Sequence, residues 1–237
     1  TEQQPAYLVI GYHAIAHAPK PFVPFTTRVQ YSGRVFGAEE MVNLVDSALD
    51  FWLTLGPWGD LFEQKLRRLL GARDFVLVNS GSSANLLMLA ALCSPGVEGH
   101  LEDGDEVVTV ALGFPTTLAP IIQHRLVPVF MDVDWRTYNP DPGAVEAAIG
   151  PRTRAVFLPH PMGFPFDAEA VAGICQRRGL WFIEDGCDAL GATFGGRLVG
   201  TFGVMSSLSH FPAHHTTGGE GGSVIVNSPK FPATARA

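Results

Sequence analysis

Short, nearly continuous apolar runs recur along the chain, and the stretches between them place hydrophobic residues three or four apart. Asp74–Asn79, Glu106–Leu112, Val127–Val133, Arg154–Pro159 and Leu180–Glu184 are rich in β-branched and aromatic residues, and several are apolar at consecutive positions. Such runs predict strands buried on both faces. Between them, Glu39–Leu55, Leu61–Leu70, Ser83–Leu92, Thr117–His124, Pro142–Ala148 and Ala168–Arg178 predict helices. Two further strands are expected at Val204–Leu208 and Ser223–Val226, with mixed direction. The alternation predicts an α/β chain: three layers, α/β/α, around a mostly parallel seven-stranded sheet.

The N-terminal part reads differently. Residues 1–30 are broken by Pro5, Pro19, Pro21 and Pro24 and are expected to form an irregular arm, followed by one large domain over residues 31–237. Hydrophobic residues make up 46% and charged residues 16%, a composition too apolar for disorder. The net charge of −7 provides no basic footprint and argues against nucleic acid as a partner. Apolar runs end far short of the roughly 20 residues of a membrane span, and Thr1–Pro24 lacks the layout of a signal peptide. Cys93, Cys175 and Cys187 form no disulfide framework. These features predict a cytoplasmic location in a reducing compartment, with no membrane partner.

Candidate chemistry collects where the predicted strands end, the edge at which α/β sheets bind ligands. After the first strand, Ser80-Gly81-Ser82-Ser83 opens a helix, offering hydroxyls, free N–H groups and a positive dipole end to a phosphate. Ordinary helix capping explains the same residues equally well. Phe114 follows the second strand, either to stack on a planar ring or to plug the core. His160 follows the fourth, facing substrate or bonding nearby backbone. Asp185 ends the fifth; paired with a pyridine nitrogen, a carboxylate there keeps the ring an electron sink, although a turn-capping Asp is as good a reading. Glu184 and Asp188 read as turn or solvated groups.

The segment from Ser209 to Gly222, SHFPAHHTTGGEGG, has the layout of a pyridoxal-phosphate site with no amine to hold the aldehyde. The chain's three lysines, Lys20, Lys65 and Lys230, all lie elsewhere. His214 stands where that layout calls for lysine. His214 and His215 are adjacent, poor geometry for two ligands on one metal, so no metal site is expected. The glycines after them suit close backbone packing beneath a cofactor.

In their order, NSGSSANLLMLAAL, ALGFPTTLAPIIQHRLVPVFMDVD, EDGCDALGATFGGRLVGTFG and HFPAHHTTGGEGG resemble the DegT/DnrJ/EryC1/StrS sugar aminotransferases, a pyridoxal-phosphate family of aspartate aminotransferase fold. The resemblance runs from about Tyr31 to Asn227. PAHH in place of the lysine motif resembles the family's sugar 3-dehydratases, above all the CDP-4-keto-6-deoxy-D-glucose type. The resemblance implies pyridoxamine 5′-phosphate or pyridoxal 5′-phosphate as cofactor. It implies phosphate contacts from Ser82, Ser83 and Ser209, Phe114 stacked on the ring, Asp185 on its nitrogen and His214 as base. His160 and His215 are expected near substrate. The implied reaction is C3 dehydration of a nucleotide-linked 4-keto-6-deoxyhexose in deoxysugar and O-antigen biosynthesis, by a homodimer working with a reductase.

Three departures stand out. Phe211 occupies a position where the dehydratases usually have tyrosine. Phe164 replaces a customary asparagine. The family's small C-terminal domain, and the cysteines that hold a 2Fe–2S centre in the CDP-type enzymes, are not in the sequence. A GDP-sugar 3-dehydratase, or a cofactor-binding family member without turnover, are the alternative readings.

Overall fold

The computed structural model describes residues 4–30, 33–216 and 218–231. Thr1–Gln3 of the arm, the domain start at Tyr31 and Thr217 of the His214 segment lie outside the described residues. The chain divides into two compact units, Thr1–Phe62 and Glu63–Ala237.

In the first unit, α1 (Gln4–Ala16) occupies half of the segment expected to be irregular. The prolines explain the difference: Pro5 sits in the first turn, where its missing N–H costs nothing, and the next proline lies beyond the helix. α1 packs against α2 (Ala38–Leu49), whose start is capped by Glu40 Oε2 accepting from Gly37 N–H at 2.6 Å. α2 ends six residues earlier than its pattern suggests. Phe51 has φ 52°, a left-handed backbone that stops the helix. The stretch after it carries Phe51, Trp52, Leu53 and Leu55 exposed and leads into α3 (Pro57–Leu70).

The second unit holds a seven-stranded sheet in the order β1-β9-β8-β5-β4-β2-β3. Its strands are β1 (Asp74–Val78), β2 (Glu106–Val110), β3 (Val127–Met131), β4 (Thr153–Pro159), β5 (Trp181–Asp185), β8 (Met205–Ser209) and β9 (Gly222–Val226). β9 runs antiparallel to both β1 and β8, and the other pairings are parallel. All seven strands expected from the sequence are present, and the late change of direction falls on β9. A small hairpin, β6 (Thr193–Phe194) with β7 (Arg197–Leu198), lies outside the sheet.

Strand side chains alternate between faces, and the sheet here is apolar on both. Val107, Ala155, Phe157, Ile183 and Met205 pack with Ala84, Met88 and Leu89 of α4 (Gly81–Leu92) and Ile121 of α5 (Pro115–Gln123). Val108, Val156, Leu158 and Phe182 pack on the other side with Val145 of α6 (Pro142–Ala148) and Val171 and Cys175 of α7 (Ala168–Arg178). This is the three-layer α/β/α arrangement. No helix among the described residues is long and apolar enough to cross a membrane.

Candidate active site

The carboxyl ends of β1, β2, β4, β5 and β8 lie on one edge of the sheet and open onto a cavity of about 640 Å³. Ser80, Gly81, Ser82 and Ser209 border it, together with Phe114, Asp185, Asp188 and His214.

The start of α4 is shaped by Ser80. Its Oγ accepts from Ser83 N–H at 3.1 Å and its carbonyl from Ala84 N–H at 3.0 Å, which leaves the first-turn N–H groups of Gly81 and Ser82 at the helix mouth. Three strands close tightly around this turn. A Cβ on Gly81 would sit 2.7 Å from Cys187 Sγ and 2.8 Å from Ser209 Cβ, and one on Gly222 would sit 2.2 Å from the Ser80 carbonyl. Only glycines permit this convergence. Ser82 is exposed to the cavity and Ser209 borders it. Ser83 does not line it, and its hydroxyl bonds Ser80 Oγ at 3.1 Å. Its N–H and hydroxyl both bond Ser80, the cap, which places it inside the first turn of α4.

Asp185 is 6% exposed, and four donors fix its orientation. Oδ2 accepts from Asn85 Nδ2 at 2.8 Å and from Thr117 Oγ1 at 2.6 Å. Oδ1 accepts from Ser207 Oγ at 3.1 Å and Cys187 N–H at 3.2 Å. The parallel register of β5 and β8, with Asp185 opposite Ser207, brings the serine hydroxyl alongside. Phe114, the residue before α5, is 69% exposed at the cavity wall.

Glu184, expected to be solvated, is fully buried. Its carboxylate accepts from His160 Nε2–H at 3.0 Å and from the N–H groups of Gly200, Phe202 and Gly203 at 2.8, 2.8 and 2.6 Å. A charge so deep requires such a shell, and it ties the turn before β8 to β5. The His160 ring is engaged there, stacked on Phe166 with centroids 4.3 Å apart, and its side chain has no exposed surface. His160 borders the cavity, and its ring bonds the Glu184 side chain, not the neighbouring backbone that the sequence offered as the alternative to substrate.

His214 borders the cavity, partly buried. Its Nδ1 lies 2.8 Å from Asp188 Oδ1. Asp188, expected to be a turn residue, thus faces the proposed base and lines the cavity. Phe211 approaches the His214 ring edge-on at 6.4 Å. His215 is exposed and is not among the residues lining the cavity. Loop 210–221 is pinned from below by His210, whose ring bonds Thr216 Oγ1 at 2.8 Å and Ser223 Oγ at 2.6 Å. A Cβ on Gly218 would come 3.1 Å from His210 Cβ, and one on Gly221 3.5 Å. These glycines accommodate His210, and Gly222 accommodates the α4 turn.

Sequence reasoning missed Asn85, Thr117, Ser207 and Asp188. A polar residue inside the apolar pattern of α4 is the signal Asn85 offered. Among the described residues, no lysine or arginine lines the cavity, and no group of three or more His, Cys, Asp or Glu could hold a metal ion.

The sequence profile of the DegT/DnrJ/EryC1/StrS aminotransferase family matches residues 36–237. The chain belongs to this family. Family members similar to it include the lipopolysaccharide biosynthesis protein RfbH of Salmonella typhimurium, 48% identical over 95% of this chain and 52% of that protein. The dTDP-4-dehydro-2,6-dideoxy-D-glucose 3-dehydratase of Saccharopolyspora spinosa is 47% identical over 93% of this chain and 48% of its own length. Among solved structures, the E. coli GDP-4-keto-6-deoxy-D-mannose-3-dehydratase with bound hydrated PLP superposes with a TM-score of 0.78 at 31% identity, over 85% of this chain and 51% of that one. The chain spans about half the length of the relatives it matches.

Proposed function

We propose that this chain forms the cofactor-binding part of a pyridoxamine-phosphate-dependent nucleotide-sugar 3-dehydratase. The observation that carries this reading is His214 on the wall of a cavity that also holds Asp185 and the α4 helix mouth, with no lysine lining it among the described residues. The residues fit the cofactor. The N–H groups of Gly81 and Ser82, with the hydroxyls of Ser82 and Ser209, suit its phosphate. Asp185 suits its ring nitrogen, and Phe114 its ring face.

Held there, pyridoxamine phosphate would supply an amine to condense with the sugar's C4 ketone and a ring to take up the electron pair left by the C4′ proton, the pair that then expels the C3 hydroxyl. The chain's own part is to orient and to move protons. Asp185, held by four donors, would present an oriented carboxylate to the ring nitrogen. His214, whose imidazole can take up and release a proton, would take the proton from the cofactor's C4′ carbon. A lysine at the same place would return the cofactor to a covalently held aldehyde and favour amino transfer.

Substrate of the nucleotide-linked 4-keto-6-deoxyhexose class is supported by the 3-dehydratase relatives. Assembly as a homodimer is supported by the exposed Phe51, Trp52, Leu53 and Leu55, an apolar surface of the kind that marks association. A cytoplasmic location is part of the same proposal, and no helix among the described residues is long and apolar enough to cross a membrane. A reductase partner and a 2Fe–2S centre belong to the same proposal only for a chain carrying the extra cysteines.

The test is to titrate the chain with pyridoxamine phosphate and then add a CDP-, GDP- or dTDP-linked 4-keto-6-deoxyhexose. A saturable absorbance change, followed by a sugar–cofactor adduct one water lighter than the condensation product in the mass spectrum, supports the reading. Cofactor binding without loss of water favours a member that binds without turnover. No cofactor binding at any concentration sinks both.

A further inference from the structure

Asp188 faces the His214 ring from the cavity wall, with Oδ1 2.8 Å from Nδ1. Its place is set by the turn that follows β5. The carbonyl of Asp188 packs so closely on Gly163 that a Cβ there would come within 2.9 Å of it, and Gly163 has φ 80°. The neighbouring Met162 N–H reaches Asp188 Oδ2 at 3.4 Å. Asp188 is therefore braced by the short 3₁₀ segment Pro161–Gly163, while His214 sits on a separate loop.

We propose that Asp188 is a positioning residue that selects the tautomer of His214. A carboxylate only accepts, so at 2.8 Å its charge draws the imidazole proton to Nδ1. Nε2 then carries the free lone pair, and a neutral imidazole can act as base from one nitrogen only. Without Asp188, the ring is free to rotate and to hold its proton on either nitrogen. The inference rests on His214 being the base, but the tautomer is measurable without any turnover.

The experiment is long-range ¹H–¹⁵N correlation NMR on the full chain labelled with ¹⁵N-histidine, at a pH where His214 is neutral. His214 is assigned by the signal lost in His214→Asn. The expected result is the Nδ1–H form in the native chain, a shift towards Nε2–H or a mixture in Asp188→Ala, and retention of Nδ1–H in Asp188→Asn, whose amide oxygen still accepts. With substrate, Asp188→Ala should lower kcat by about tenfold or more at little-changed KM, with partial rescue by Asn. An Nε2–H form in the native chain, or an unchanged tautomer in Asp188→Ala, overturns the proposal. Loss of turnover is a separate result: if His214→Asn turns over at the native rate, the base assignment fails whatever the tautomer.

Discussion

Asn85 donates from Nδ2 to Asp185 Oδ2 at 2.8 Å, joining the first turns of α4 to the end of β5 across 100 residues of chain. Thr117, from the start of α5, donates to the same oxygen at 2.6 Å. Two helices thus converge on one carboxylate oxygen and fix the direction in which the other elements of the cavity meet it. Hydrogen bonds to a charged group contribute about 1.5–3 kcal/mol each. Asn85→Leu is therefore expected to weaken pyridoxamine phosphate binding by roughly 10- to 100-fold, and Thr117→Val to act in the same direction. Fluorescence or absorbance titration measures both. Binding unchanged in both variants would remove Asp185 from the cofactor's surroundings.

The close approach of β9 to the α4 turn makes a stability prediction. In Gly222→Ala the added Cβ meets the Ser80 carbonyl at 2.2 Å, with backbone on both sides and no flexible side chain to yield. Overpacking of this kind costs typically about 1–3 kcal/mol. Urea denaturation should show that loss, and phosphate-dependent protection against heat should fall with it because the same turn frames the helix mouth. Gly191→Ala, whose added Cβ meets nothing within 4 Å but whose φ of 85° is strained, serves as a comparison in which stability falls and the helix mouth is untouched.

His210 predicts a pH dependence. Burial between the loop and β9, with His214 nearby acting in the same direction, lowers its pKa from the ordinary 6.5 to about 4. The folded chain keeps this ring neutral while the unfolded chain protonates it below pH 6.5. Its contribution is therefore fully present above pH 6.5, declines as the pH falls towards 4, and is constant below that. The loss for this group is about 3 kcal/mol at most. Urea midpoints of the native chain and His210→Gln, compared from pH 7 to 4, should converge across that window. Parallel curves would show that His210 is not held neutral.

Much of the fold is legible in the sequence because the sheet is covered on both sides. Strands such as Val107-Val108 and Val156-Phe157-Leu158 are apolar at successive positions, and the sequence between them has helical spacing. The limits of α7 are legible too, since Asp167 caps Ala170 N–H at one end and Gly179 adopts φ 67° at the other. α1 is not legible, because a helix without charges shows no amphipathic stripe and its prolines read as breakers. In the site, Asp185, Ser209 and His214 are legible from the order of their motifs. Asn85, Thr117 and Ser207 are brought to Asp185 only by topology and strand register, which no local spacing records. Asp188 does lie in a turn with its side chain half exposed, as its place after a strand suggests, but only the fold brings the His214 loop against it.

His214→Lys is the variant that separates elimination from amino transfer. The position borders the same cavity as Asp185 and Ser209, and no other lining residue among those described carries a primary amine. A lysine there, desolvated in part, is a nucleophile for the cofactor's aldehyde form. The expected outcome is a new visible absorbance band with pyridoxal phosphate and a covalent mass increase after borohydride reduction. Dehydration should fall by roughly 10²–10⁴-fold, the range a positioned proton carrier contributes. His214→Asn should lose dehydration to the same extent without gaining the covalent mass, which isolates the proton step from capture of the cofactor. Dehydration undiminished in His214→Asn would mean that another group removes the C4′ proton, and Asp188, already on the cavity wall, would be the first to examine.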